Sequence, residues 1–170
     1  MKSIGRKSFL SILVALGMFA AGCSSTAKKD AGKTSDSMVD DNSSALSLEL
    51  NGSSDDNTAG PLKTIYFAFD TSRLSSAAKS TLEQNAMWLK GASSVDIQIE
   101  GHCDERGGQQ YNLALGERRA KAVKSYLEAL GVATNRVSVI SYGKERPSTF
   151  GHDEQAWSKN RRANFIVTAK

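Results

Sequence analysis

An α+β fold is predicted for residues 61–170, with two helices packed on one side of a single sheet in the order β-α-β-α-β-β. Three observations lead there. Ten of the twelve Phe, Tyr and Trp residues fall in that stretch and none lies in 23–60, so only 61–170 holds the apolar bulk for a core. Its strand-like segments alternate apolar and polar residues, which gives each strand one polar face. Two further segments carry apolar residues at helical spacing, and each is closed by a glycine. Polar strand faces leave one side of the sheet for the helices.

The chain opens with Lys2, Arg6 and Lys7, followed by an apolar run from Phe9 to Ala21 that exits through small residues. That layout is a secretory signal peptide over 1–22. Ser8–Gly22 is shorter than the roughly 20 residues a bilayer span requires. Ala20-Ala21-Gly22-Cys23 resembles the bacterial lipobox, with Ala20 where a large aliphatic residue is usual. The lipobox implies lipidation of Cys23, as S-diacylglycerol plus an N-acyl group, and Ser24 resembles a signal for forwarding to the outer membrane. The alternative is an ordinary cleaved signal with an incidental cysteine.

Residues 23–60 hold seven acids against three lysines and read as a flexible acidic tether. As a coil it spans about 35 Å, and about 125 Å fully extended. Leu46-Ser47-Leu48-Glu49-Leu50 alternates within it, either as a strand that docks on a partner or as a transient apolar cluster. The net charge of +4 divides unevenly, because 61–170 carries 16 basic and 11 acidic residues. A basic domain suits nucleic acid only where nucleic acid is present, and export argues against it. Glu117 and Glu128 also interrupt the cluster Arg118, Arg119, Lys121 and Lys124, so a solvated helix face with one functional arginine suffices. Lipidation of Cys23 would leave Cys103 without an intramolecular partner, and the domain must then hold together through its core.

Within the domain, Leu62–Phe69 is β-rich and ends at the turn cluster Asp70-Thr71-Ser72. Ser75 or Ser76 caps a helix to Lys90 with the stripe Ala78, Leu82, Ala86 and Leu89, stopped by Gly91. Val95, Ile97 and Ile99 alternate with Asp96, Gln98 and Glu100 as the second strand, and Gly101–Gly108 is a loop. The second helix runs from about Gln110 to Leu130, with Leu113, Ala120, Val123, Leu127 and Leu130 inward and Gly131 after it. Val137, Val139 and Ser141 alternate with Ser138, Ile140 and Tyr142 as the third strand. Residues 143–160 read as a polar loop with a helical turn near Gln155–Ser158, and Asn164–Thr168 is the last strand.

Glu100–Val123 reads EGHCDERGGQQYNLALGERRAKAV. Gly101, His102, Asp104, Gly107, Asn112, Leu115, Arg119 and Ala120 resemble the pattern of the OmpA-like peptidoglycan-binding domains. Phe69-Asp70 and Asn160-Arg161-Arg162 fit the same pattern, and the resemblance covers nearly all of 61–170. Asp104-Glu105-Arg106-Gly107, Tyr111-Asn112, Gly116-Glu117-Arg118-Arg119, Ser141–Glu145 and Gly151–Glu154 are closest to the branch of lipoproteins that work with the Tol machinery. Gln110 departs from that branch, where Glu is usual. The resemblance implies a two-layer sandwich with a mixed four-stranded sheet, anchored in the outer membrane and facing the periplasm.

An anionic Asp104 on a loop and a cationic Arg119 in the following helix suit a zwitterionic end group. Its carboxylate takes a bidentate guanidinium contact and its ammonium pairs with the Asp carboxylate. Amides of the first helical turn add donors for the carboxylate. Spacing alone favours a fold salt bridge between the two residues; the resemblance favours the site. It implies that Asp104 and Arg119 grip diaminopimelate in the peptidoglycan stem peptide, and that Asp104→Ala or Arg119→Ala abolishes binding while the domain stays folded. Phe69, Asp70 and Thr71 are expected to give backbone donors and an aromatic wall, or else to be core and turn residues. Leu115 walls the ligand or packs; Arg161 and Arg162 reach the site or pair with Asp153 and Glu154 in solvent. The resemblance also implies a second partner, the Tol components and notably the periplasmic protein TolB, on an overlapping surface.

Sharper chemistries fit less well. His102-Cys103-Asp104 leave a strand in alternate directions, unlike a nucleophile–base set, and Cys103 reads as a buried inert thiol in a small-residue slot. His102, His152 and Cys103 lack zinc-ligand spacing, and Gly101–Gly108 is too encumbered to cradle phosphate. A wall hydrolase or amidase is the competing class; it needs a metal or paired carboxylates with room for water, and Asp104-Glu105 on one tight loop is a poor pair. The expectation is a binding protein without enzymatic chemistry, metal or cofactor.

Overall fold

A computed structural model describes residues 48–170. The predicted signal peptide, Cys23, residues 23–47 of the tether, and with them Leu46 and Ser47, lie outside the described residues. Four strands, β1 (Ile65–Tyr66), β2 (Asp96–His102), β3 (Val137–Gly143) and β4 (Arg162–Ala169), form one sheet in the order β1-β4-β2-β3. β4 runs antiparallel to both neighbours while β2 and β3 are parallel, so the sheet is mixed as expected. Helices α1 (Ser76–Gly91) and α2 (Gln109–Ala129) contribute to one core with the sheet, α2 making the crossover between the parallel strands. A third helix, α3 (Glu154–Asn160), stands where the sequence suggests only a turn. Asp153 caps it by accepting from the Ala156 amide at 2.8 Å.

The core follows the apolar periodicities. Ala78, Leu82, Ala86 and Leu89 of α1 and Ala120, Val123 and Leu127 of α2 are buried against Ile97, Ile99, Phe165 and Val167. Leu113, expected inward, is instead 43% exposed. The cause lies one turn on, where Gly116 meets Gly101 of β2 backbone to backbone: a Cβ on Gly101 would sit 1.9 Å from the Gly116 carbonyl oxygen. That approach turns Asn112, Leu115 and Arg119 inward and Leu113 out. β1 is also shorter than the predicted Leu62–Phe69. Asn85 of α1 takes the Lys63 backbone instead, accepting from its amide at 3.0 Å and donating to its carbonyl at 2.9 Å.

Residues 48–60, predicted to belong to the tether, fold onto the domain. The Asn51 amide donates to the Val167 carbonyl at 2.8 Å, the Val167 amide to Gly52 at 3.0 Å, and the Ser54 amide to Phe165 at 2.9 Å. This strap covers the half of the β4 edge that short β1 leaves open. Asn164, buried, fixes it from the sheet side: its Oδ1 accepts from Ser53 Oγ, Ser54 Oγ and the Asp55 amide at 3.0, 2.8 and 3.1 Å. Ala59 is fully buried and Leu48 packs against the core. Composition hides this because the strap docks through backbone pairing and small hydroxyls rather than through apolar bulk. Among the described residues, no helix is long and apolar enough to cross a membrane.

Candidate functional site

β2 ends at His102 and α2 begins at Gln109, so the loop between them lies against the end of β1 and the residues entering β4. A cavity of about 170 Å³ opens there, lined by Phe69, Asp70, Cys103, Asp104, Arg106, Gly107, Tyr111, Asn112, Leu115, Arg119 and Arg161. Both residues expected to carry the site line it, and they are not paired with each other. Arg119 is fully buried. Its Nε donates to Thr71 O at 2.9 Å, Nη1 to His102 O at 2.8 Å and Nη2 to Ala68 O at 3.1 Å. Burial pushes its pKa down without a carboxylate in direct contact.

Asp104 is buried, with Arg106 Nη2 at 2.7 Å and Arg161 Nη1 at 3.2 Å on one carboxylate oxygen. Burial works against its ionisation, but the hydrogen bonds from Arg106 and Arg161 outweigh that and hold the carboxyl below its ordinary range. The two key side chains thus offer a cation and an anion to one cavity, each fixed by separate partners.

Phe69 is 58% exposed, lines the cavity and stacks on the Arg106 guanidinium at 4.0 Å. Asp70 adopts φ 53°, rare for a residue with a side chain, and accepts from the Tyr111 hydroxyl. Thr71 does not line the cavity; the 68–71 segment supplies carbonyl acceptors to Arg119 where donors were expected. Leu115 is buried and lines the floor. Arg162 is a correction. It begins β4 with its side chain on the other face, where Nε donates to Asp55 Oδ2 at 2.6 Å and Nη2 to Arg146 O at 3.3 Å. Successive residues entering a strand point opposite ways, so Arg161 faces the cavity, donating to Asp104 and Phe67 O and pairing with Glu154.

Arg106, Tyr111 and Asn112 are site residues that sequence reasoning missed as such. Alternation gave no signal for Arg106, because the loop bends at Glu105 and the Arg106 amide donates back to Asp104 Oδ1 at 3.1 Å. His102, Cys103 and Asp104 diverge as predicted: His102 stacks on Tyr142 at 5.7 Å, and Cys103 Sγ lies 3.3 Å from Asn112 O with its pKa raised by burial. Among the described residues, no three His, Cys, Asp or Glu side chains gather as a metal site.

A second cluster ties the loop to α3. Glu105 accepts from Trp157 Nε1 at 2.9 Å and lies 2.8 Å from His152 Nδ1. The His152 hydrogen bond to Glu105 holds the imidazole pKa above its ordinary value; hydrogen bonds from His152 and Trp157 hold Glu105 below its own. The pair is therefore fully formed below the ordinary histidine value. It is lost as pH rises through the raised His152 value, and again as pH falls through the depressed Glu105 value. By NMR titration, His152 should protonate at a higher pH than an isolated histidine, and Glu105→Gln should lower it toward the ordinary value. An unshifted His152 in the unsubstituted protein would contradict the pairing.

The model described as the OmpA family matches residues 66–161. A peptidoglycan-associated lipoprotein of Pseudomonas aeruginosa is 43% identical over 168 residues, 97% of this chain and 98% of that protein. One of Brucella melitensis is 39% identical over 170 residues, 98% of this chain and 95% of that protein. The crystal structure of the peptidoglycan-associated lipoprotein from Burkholderia pseudomallei superposes with a TM-score of 0.60 at 42% identity, covering 61% of this chain and 88% of that one.

Proposed function

The chain belongs to the OmpA family, and on that premise we propose that it is a lipoprotein that binds peptidoglycan non-covalently and links the outer membrane to the cell wall. The observation that carries this reading is the single cavity into which Arg119 and Asp104 bring opposite charges from separate supports. A guanidinium has five N–H donors. Three of those on Arg119 serve protein carbonyls, and a ligand carboxylate is the partner we assign to the other two.

Diaminopimelate of the stem peptide is the ligand we assign, since it joins carboxylate and ammonium on one short carbon chain. Cys23 would carry the acyl chains, more than one being needed for stable anchoring. Residues 48–60 fold onto the domain, so the tether we assign is confined to residues 23–47. Tol components, TolB foremost, are the second partner we assign, on the rim formed by the 103–108 loop and α2. Sharing that rim would make wall binding and partner binding exclusive, a property suited to envelope integrity and to constriction of the outer membrane in division.

The test uses the full chain carrying Cys23→Ala, so that no lipid brings it down, mixed with purified peptidoglycan and centrifuged. It should pellet with the polymer and release no soluble muropeptide. Asp104→Asn on the same background should weaken pelleting about tenfold or more, the loss of one charge-assisted contact, with the circular dichroism spectrum unchanged. Release of soluble fragments would make the protein a hydrolase. Undiminished pelleting of Asp104→Asn and Arg119→Lys would remove the site.

A further inference from the structure

The two charged partners in the cavity are not equally available. An ionised carboxylate has about four lone-pair sites, and Asp104 fills four. Oδ1 accepts from the Arg106 amide at 3.1 Å and Arg106 Nε at 3.3 Å; Oδ2 accepts from Arg106 Nη2 at 2.7 Å and Arg161 Nη1 at 3.2 Å. Two N–H groups of Arg119 are not taken by a protein carbonyl, whereas Asp104 has no acceptor site left for an ammonium group.

One of the four bonds to Asp104 must break before an ammonium can pair there, and the donors differ in freedom. Arg161 has a side chain only 6% exposed and is also held by Phe67 O and Glu154. The Arg106 amide is part of the loop backbone. The Arg106 side chain is 32% exposed, supplies two of the four bonds, and lies between the Phe69 and Trp157 rings at 4.0 Å from each. Glu154 Oε2 stands 3.8 Å from its Nη2 and offers an alternative carboxylate.

We propose that Arg106 is a built-in plug. Its guanidinium occupies the place on Asp104 that a ligand ammonium takes, and binding exchanges one cation for another while Arg106 passes to Glu154. The exchange keeps Asp104 paired throughout, so no buried carboxylate is left bare. Arg106 thereby sets specificity, because a ligand without an ammonium group has nothing with which to displace it. This proposal rests on the reading that the cavity takes a group bearing both ammonium and carboxylate.

Calorimetry with meso-diaminopimelate and with pimelate, which lacks both amines, separates the cases. Arg106→Gln should bind diaminopimelate about tenfold more tightly, the scale of removing one charge-assisted competitor, with pimelate binding unchanged. Arg106→Lys should fall between. In the unsubstituted protein, diaminopimelate should move the Arg106 Nε–H resonance away from its Asp104-bonded position and leave that of Arg161 in place. Equal or weaker binding by Arg106→Gln, or an Arg106 Nε–H that keeps its Asp104-bonded resonance in the complex, overturns the plug. If neither protein binds diaminopimelate, ethylammonium decides. A shift of the Asp104 carboxyl carbon at about tenfold lower concentration in Arg106→Gln keeps the exchange and discards the ligand reading; an equal response overturns the exchange as well.

Discussion

Arg119→Ala is expected to lower the unfolding free energy by about 3–5 kcal/mol, enough to leave a domain of this size marginal. The side chain is fully buried, and its loss strands the carbonyls of Ala68, Thr71 and His102. Each carbonyl forfeits a hydrogen bond worth about 1 kcal/mol, and the vacated volume adds a cavity cost. Urea denaturation of the full chain measures it; a loss below about 1 kcal/mol would contradict the structural role assigned to the guanidinium. This outcome replaces the expectation from sequence that the alanine variant stays folded. Loss of wall binding in Arg119→Ala therefore reports on folding as well as on the ligand, which is why Asp104→Asn and Arg119→Lys are the variants for binding assays.

Gly101→Ala has a comparable expected effect from a different cause. The added Cβ meets the Gly116 carbonyl oxygen at 1.9 Å, a backbone atom with no rotamer to move. Overpacking of this kind costs about 1–3 kcal/mol and more where backbone must shift, so a loss of about 3 kcal/mol or more is expected. The same displacement would carry Arg119 away from His102 O, which it reaches at 2.8 Å, and binding should fall together with stability. Gly91→Ala is the contrast: at the end of α1 its Cβ meets nothing within 4 Å, and the change should be neutral or mildly stabilising. Equal melting temperatures for the two variants would refute the close contact.

The parts of the fold legible in the sequence were those set by apolar periodicity. The stripe Ala78, Leu82, Ala86 and Leu89 and the alternation Val95, Ile97 and Ile99 are repeated in the buried core. What escaped was set by polar groups and backbone. Asn85 carries no pattern that marks it as the partner of Lys63, yet it shortens β1. Asn164 holds the strap through three donors that a composition count reads as linker residues.

The site divides the same way. Asp104, Arg119, Phe69, Asp70 and Leu115 line one cavity, while Thr71 contributes only a carbonyl to Arg119 and Arg162 faces away. The sequence starts the last strand at Asn164, but β4 begins two residues earlier, and that extension puts Arg162 on the Asn164 face and Arg161 on the other. Arg106 carried no signal of its own, because its role comes from the Phe69 and Trp157 rings, and Trp157 is distant in sequence.

The strap also governs how copies of the protein meet. Without residues 51–54, the Phe165 carbonyl and the amide and carbonyl of Val167 would line an unpaired strand edge beside apolar Ile166, a template for a neighbouring chain. A fragment begun at residue 61 would expose that edge and self-associate, whereas one begun at Leu48 would keep it covered. Ser53 and Ser54, with the neighbours that composition assigned to a linker, are thus a guard against aggregation built into the domain itself.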